Sequence, residues 1–140
     1  VARELHPEIA ERVSVADLRK PLRYHAEAFD FVLCNAVIQH IPPELVTKIT
    51  LPELVRVLKP GGLLQLMFKV GDGVITVYDK DYESDRTFQL YDTDELVALL
   101  YNLGLEIVPS EGEKLGGVMY FTDPKPMQHC VFFARRSRLE

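Results

Sequence analysis

Residues 29–41 read FDFVLCNAVIQHI, an apolar run that turns polar only at Asn35 and at Gln39-His40. An apolar run that starts without alternation is the pattern of a strand buried on both faces of a parallel sheet. Pro42-Pro43-Glu44 then marks a helix start, because proline presets φ and glutamate favours the positive helix end. Pro52 interrupts that helix, while Thr50 and Glu53 carry the spacing of a capping box. Two helical pieces are predicted, over about 43–49 and 51–58. Lys59-Pro60-Gly61-Gly62 stops the second piece, since proline cannot extend it and glycine turns the chain back. LLQLMFKV over 63–70 is the next strand.

On the N-terminal side, residues 2–11 read as a helix end interrupted by Pro7, and Val13–Ala16 as a short strand closing on Asp17. On the C-terminal side, 71–91 is polar with two glycines, which predicts a long loop or lid with a short strand near 74–78. Asp92 and Glu95 have capping-box spacing ahead of Leu96, Leu99, Leu100 and Leu103, one apolar helix stripe that Gly104 ends. Residues 105–109 and 128–135 are the last strands, joined by nearly twenty residues. Strands alternating with helices predict an α/β layer fold with a largely parallel sheet.

The chain has 140 residues, 47% hydrophobic and 26% charged, enough for one globular core. Its net charge of −5 disfavours nucleic acid and anionic membranes as partners. No apolar run approaches the roughly 18 residues that cross a bilayer, and no leader pattern opens the chain, so a soluble, cytoplasmic protein is expected. Cys34 and Cys130 sit in apolar segments and read as buried thiols, and the four histidines share no metal-ligand spacing. No metal is expected. The missing initiator Met suggests an absent upstream part, and Leu139-Glu140 suggests a tag remnant, leaving 1–138 as the native portion of the domain.

Taken in order, FDFVLCNAVIQHI, LVRVLKPGG, LLQLMF, DTDELVALLYNLGL and HCVFFARR resemble the second half of a class I S-adenosylmethionine-dependent methyltransferase. The most specific part is 29–67, with Phe-Asp opening a strand and Leu-Lys-Pro-Gly-Gly closing a helix. The resemblance spans about residues 2–136. It implies a Rossmann-like, mostly parallel sheet with helices on both faces and a closing antiparallel strand, incomplete on the N-terminal side. In the family a glycine-rich loop after the first strand packs against the cofactor, and an acid after the second holds the ribose. Neither is found in these residues, since Gly61-Gly62, Gly71-x-Gly73 and Gly116-Gly117 stand elsewhere.

The resemblance also implies site residues. Asp17 would accept a hydrogen bond from the adenine amino group, and the Leu18 amide would read the ring. Asn35 and Ala36 would line the methionine part of S-adenosylmethionine. Against this, Asp17 could be a turn residue and Asn35 a satisfied strand-end amide. His40 could serve as general base for a hydroxyl or amine nucleophile, because imidazole titrates near neutrality, or it could be a solvated residue ahead of Pro42. Tyr78, Tyr82, Phe88 and Tyr91 could enclose substrate or simply pack the 71–92 stretch. Arg135, Arg136 and Arg138 read as a solvated basic end.

Methyl transfer is an in-line displacement from an already activated donor, so the protein mainly aligns the reactants and no conspicuous catalytic cluster is required. The expected function is methyl transfer to a small-molecule acceptor. The competing reading is a methyltransferase-like binding module without catalysis, and a nucleotide-linked oxidoreductase leaves the Lys-Pro-Gly-Gly turn and the closing strand pair unexplained. Without the family's neighbouring strands, Val13–Ala16 is expected either to pair beside Phe31–Asn35 or to leave an edge that a homodimer covers.

Overall fold

The computed structural model describes residues 1–111, 116–124 and 127–138, so Leu139-Glu140 lies outside the described residues. The chain opens with α1 (Ala2–Leu5) and a 3-10 turn over Pro7–Arg12, neither of which buries a residue. The apolar run becomes a strand, β1 (Phe29–Asn35), for its first seven residues. It ends in a 3-10 turn over Ile38–His40 that buries Ile38 and Gln39.

Residues 43–56 form one helical segment: α2 (Pro43–Leu45), a π turn over Val46–Thr50 and α3 (Leu51–Arg56). The π turn carries the helix past Pro52, whose nitrogen has no hydrogen to donate. The expected capping box at Thr50 and Glu53 does not form. Thr50 is itself helical, at φ −59° and ψ −59°, and its hydroxyl donates to the Leu18 carbonyl at 2.7 Å.

The sheet continues with β2 (Leu58–Lys69), which begins five residues before the strand expected from 63. Parallel pairing to β1 shifts register between Phe29↔Leu58 and Phe31↔Leu63, so residues 59–62 are an excursion within the strand. Gly61 takes φ +79°, and a Cβ on Gly62 would stand 2.8 Å from the Lys59 carbonyl oxygen and 2.9 Å from that of Asp30. Both glycines are therefore required by this excursion.

Beyond it, β3 (Val74–Asp79) and β4 (Ser84–Gln89) form a separate antiparallel hairpin where the sequence predicted a single short strand in a loop. After α4 (Thr93–Asn102) come β5 (Leu105–Ile107), β6 (Met119–Thr122) and β7 (Gln128–Arg136). The sequence reading missed β6, a four-residue strand inside the long connection.

The main sheet has the order β1-β2-β7-β5, with β6 beside another stretch of β7. β1 and β2 are parallel, and β7 is antiparallel to β2, β5 and β6. Four strands thus run one way and β7 closes the sheet the other way. Val13–Ala16 is not a strand, which corrects the sequence reading: Val15 is fully exposed, and among the described residues β1 pairs with β2 alone. A four-residue segment with no neighbouring ladder has nothing to hydrogen-bond its backbone in a sheet. The segment is tied elsewhere, with Arg3 Nε donating to the Val13 carbonyl at 2.5 Å.

Alternation along the strands sends Cys34, Leu64, Leu66, Phe68, Cys130, Phe132 and Ala134 into one core with Leu51, Leu54, Leu96 and Leu100 of the helices. Of the two helical layers the resemblance implies, the described residues supply this one. The other face carries Leu63, Gln65 and Met67, half-buried, with Phe31 and Leu33 at 45% and 56% exposure. Arg136 also departs from its expected solvated role. Its Nη1 donates to the Val55 carbonyl at 3.0 Å and to the Leu58 carbonyl, capping the negative end of α3, while Arg135 donates to the Gly61 carbonyl at 2.7 Å.

At the start of α4, the Asp92 carboxylate accepts the Glu95 N–H at 3.0 Å, as predicted. Asp92→Ala is expected to lower the unfolding free energy by about 1 kcal/mol, read from the midpoint of a urea titration.

Candidate functional site

The parallel strands β1 and β2 end together, and the chain leaves β1 through Ala36. Its N–H donates to the Met67 carbonyl at 2.9 Å, and it takes φ +57°. Left-handed backbone is costly for any residue with a Cβ, and such strain concentrates at functional sites. The following 3-10 turn brings Gln39 and His40 to the carboxyl end of the sheet, the end at which ligands of open α/β sheets bind.

A second set of contacts brings the Asp17 segment to the same place. Thr50 holds the Leu18 carbonyl, the Glu53 carboxylate accepts the Leu22 N–H at 2.6 Å, and Arg56 Nη2 donates to the Leu22 carbonyl at 3.0 Å. Arg56 in turn bonds Glu53 at 2.7 Å, and this hydrogen bond holds the Glu53 carboxyl below its ordinary range. The residues expected to cap a second helix thus pin the 18–22 segment to the helical face.

The result is an open cleft of about 540 Å³ lined by Asp17, Leu18, Arg19, Ala36, Val37 and His40, among others. It unites four of the five residues singled out from the sequence. Asn35 is the exception, because its carboxamide oxygen accepts from Gln65 Nε2 at 3.2 Å, a cross-strand contact on the opposite sheet face. Asp17 accepts hydrogen bonds from the Arg19 N–H and Nε, both at 3.0 Å, and from Nη2 at 3.1 Å. These bonds hold its carboxyl at about 2, so it is an ionised acceptor throughout the neutral range. No hydrogen bond among the described residues engages the Leu18 N–H.

His40 lies between this cleft and a second one. Its ring is tilted against Phe88, with centroids 5.8 Å apart. Partial desolvation, followed by the positive charges of Arg86 and Lys69, lowers its pKa from the ordinary 6.5. A neutral imidazole, the form able to accept a proton, is therefore favoured at neutral pH.

The second cleft, of about 340 Å³, lies between the hairpin, the end of β2 and Asp123, Pro124 and Met127, with Gln39, Lys69, Tyr78, Arg86 and Phe88 in its wall. Lys69 and Arg86 sit over the Phe88 ring at 4.7 and 5.0 Å, and Arg86 also lies 4.9 Å from the Tyr82 ring. Arg86 pairs with the buried Asp79 at 3.2 Å, and Lys69 faces Asp123 at 3.8 Å. His129 Nε2 lies 2.9 Å from Asp123, and the Phe121 ring stacks on His129 at 4.9 Å. Sequence reasoning missed this cluster, because Lys69, Asp123 and His129 come together only through pairing of β7 with β2 and β6.

The four aromatic residues of the 71–92 stretch divide their roles. Tyr78 and Phe88 line the second cleft, Tyr82 is covered by Arg86, and Tyr91 packs inward, donating to the Ile41 carbonyl at 2.5 Å. Burial pushes the Tyr91 phenol up to about 12 and the Cys34 thiol up to about 11. Both cysteines are buried and free, so neither is poised as a nucleophile. Among the described residues no group of three or more His, Cys, Asp or Glu is arranged to hold a metal ion.

Comparison with known proteins gives this geometry a context. Residues 1–66 match the family model described as a methyltransferase domain. No curated relative matches the sequence. Among solved structures, a SAM-dependent methyltransferase of Methanosarcina mazei superposes with a TM-score of 0.67 at 21% identity, over 89% of this chain and 66% of that one. The 1,6-didemethyltoxoflavin-N1-methyltransferase of Burkholderia thailandensis, solved with 1,6-didemethyltoxoflavin and S-adenosylhomocysteine bound, gives 0.66 at 18% identity, over 96% and 55%. The cyclase SpnF gives 0.62 at 18% identity, over 97% and 59%. The fold is the α/β Rossmann-like fold of the SAM-dependent methyltransferases, and the chain spans less than two thirds of the length of each of these three structures.

Proposed function

We propose that residues 1–138 of this chain form the C-terminal part of a class I methyltransferase domain, and that the whole protein methylates a small molecule. The observation that carries this reading is His40 lying between two clefts, one bordered by Asp17, Leu18 and Ala36 and the other by the hairpin. S-adenosylmethionine supplies an already activated methyl group when bound. The residues fit it in part: ionised Asp17 is an acceptor for an amino group, and the Leu18 N–H is a donor beside it. Ala36, with its small side chain, lets the chain pass close to a ligand at the strand end. His40, neutral at physiological pH, takes the proton that the nucleophile loses, and the second cleft orients the acceptor.

The net charge of −5 supports a small-molecule acceptor over a nucleic acid, and a cytoplasmic protein belongs to the same reading. No helix of the described residues is long and apolar enough to cross a membrane. A module that keeps the fold without catalysis is the second reading, favoured by the exposed Phe31 and Leu33 on an unpaired strand edge that a second copy could cover.

Titration of the isotope-labelled chain with S-adenosylhomocysteine, followed by NMR, tests the proposal. The expected result is a shift of the Asp17, Leu18, Ala36 and Val37 amide resonances with a dissociation constant weaker than about 100 μM, because no glycine-rich cofactor loop is present in these residues. Shifts at millimolar ligand that spare these positions and fall elsewhere on the chain sink the methyl-transfer reading in favour of the binding module. Submicromolar binding would contradict the missing loop.

A further inference from the structure

The second cleft holds an arginine whose hydrogen-bonding capacity is only partly used. Arg86 lines it and donates from Nη1 to the buried Asp79 carboxylate at 3.2 Å, and Asp79 is itself fixed by the Asp81 N–H at 3.0 Å. No hydrogen bond among the described residues engages Arg86 Nε or Nη2. The Asp79 side chain is only 4% exposed and that of Arg86 36%, so the accessible part of the guanidinium is the part that Asp79 does not hold. The Tyr82 and Phe88 rings, 4.9 and 5.0 Å from its Cζ, keep the group in place. Nε and Nη2 together form the edge to which a carboxylate binds through two parallel hydrogen bonds.

A second observation points the same way. The buried Lys69 puts another positive charge over the same Phe88 ring, at 4.7 Å, and two like charges beside one apolar ring repel each other. An anion lodged beside both removes that repulsion. After desolvation, these two charges are what depresses the pKa of His40, whose ring is tilted against Phe88, so cations set the potential at this end of the cleft. The carboxylates of the wall are committed elsewhere: Asp79 to Arg86, and Asp123 to Lys69, His129 and the Met127 N–H. Asp81 is exposed, where solvent and salt screen its charge.

We infer that Arg86 binds a carboxylate on the methyl acceptor, which makes that acceptor a small aromatic carboxylic acid. The word acceptor rests on the methyl-transfer reading; the carboxylate site does not. The cleft, at about 340 Å³, is at the small end of ligand pockets and fits a compound of one or two rings. Val77, Tyr78, Phe88 and Met127 stand in its wall with Arg86 and supply apolar surface for such a ring. Pairing of Lys69 with Asp123 and of Arg86 with Asp79 leaves no large excess of positive charge. Recognition therefore comes from the directed N–H edge, which suits a planar, singly charged carboxylate better than a phosphate carrying up to about two charges.

The test is an NMR titration of the full chain with 2-naphthoate and with 2-naphthamide, which has the same rings and a neutral amide in place of the carboxylate. The expected result is that 2-naphthoate shifts the Arg86 Nε–H and Phe88 resonances and binds at least about tenfold more tightly than 2-naphthamide, since hydrogen bonds between charged groups are the stronger class. Arg86→Gln removes the charge and should abolish that preference. Should Arg86→Gln fail to fold because Asp79 is left buried and unpaired, Arg86→Lys keeps the charge but lacks the planar fork, and should reduce the preference at least about threefold. Equal binding of the two compounds, no binding of 2-naphthoate at millimolar concentration, 2-naphthoate shifts that spare Arg86 and Phe88, or an unchanged preference in the variant that folds overturns the inference. S-adenosylhomocysteine titrated into the same samples tests the methyl-transfer reading separately. If its shifts spare Asp17 and Leu18 while 2-naphthoate is preferred at Arg86, that reading fails and the carboxylate site stands; the converse pattern keeps methyl transfer and removes the carboxylate.

Discussion

Phe132→Ala is expected to lower the unfolding free energy by about 3–5 kcal/mol. Phe132 is fully buried at the centre of β7, the strand that joins β2 on one side to β5 and β6 on the other. It is the register partner of Leu66 and meets Phe68 edge to face at 6.1 Å. Removing the ring takes away both its transfer free energy and its packing partners, and the cavity lies between two ladders that cannot collapse independently. Native domains have only about 5–15 kcal/mol in hand, so a substantial unfolded population is expected at 37 °C. Urea titration of Phe132→Ala against Val131→Ala, a half-buried neighbour on the opposite face, measures it. A Phe132→Ala loss below about 1 kcal/mol, or one no larger than that of Val131→Ala, would show that β7 is not the centre of the core.

His40→Ala is expected to slow the proposed methyl transfer by about 10²–10⁴-fold when the nucleophile must lose a proton. The sign of its pH dependence follows from the lowered pKa: the neutral base is depleted only as pH falls through a midpoint below 6.5. The rate should therefore persist into more acidic solution than an ordinary imidazole allows. The His40 ring resonances, followed by NMR against pH, check the midpoint, and Arg86→Gln should raise it by removing one of the two positive charges. Stability has the same direction. Between the folded midpoint and 6.5 the unfolded chain binds the proton more readily, so protonation favours unfolding and stability falls as the pH drops through that window. A His40 midpoint at or above 6.5, or a His40→Ala variant with unchanged rate, removes the residue from the base role.

The pattern of apolar runs and breakers was a sufficient guide to the helical segment after β1, to β2, α4 and β7, because each buries a periodic face or a continuous run within a few residues of a proline or glycine stop; β1 forms as a strand but is not buried on both faces as its apolar run predicted, since among its residues only Cys34 is buried and Phe31 and Leu33 are exposed. It was insufficient where an element depends on a partner. Val13–Ala16 is as apolar as a strand but has no ladder to join, whereas Ser84–Gln89 is polar and becomes β4 because Val74–Asp79 lies antiparallel to it. Met119–Thr122 likewise becomes a strand only because β7 offers it an edge. Thr50 and Glu53 have capping spacing, yet a continuous helix leaves them free to hold Leu18 and Leu22 instead.

The candidate site divides along the same line. Asp17, Leu18 and Ala36 could be named through the family resemblance and His40 through its imidazole just past β1, although the strand expected before Asp17 does not form. Asn35 could be named the same way, but the parity of the strand sends its side chain to Gln65 on the other face. Gln39 as a buried, unpaired amide, and Lys69 with Asp123 and His129, were decided only by the tertiary structure. Their chemistry comes from residues about 50–60 positions apart in sequence, meeting in a low-dielectric cleft. Local composition and periodicity determine which segments can be strands and helices, since they set what a segment must bury. Which polar atoms end up paired, charged or orphaned depends on what packs against them, and that is a property of the assembled sheet.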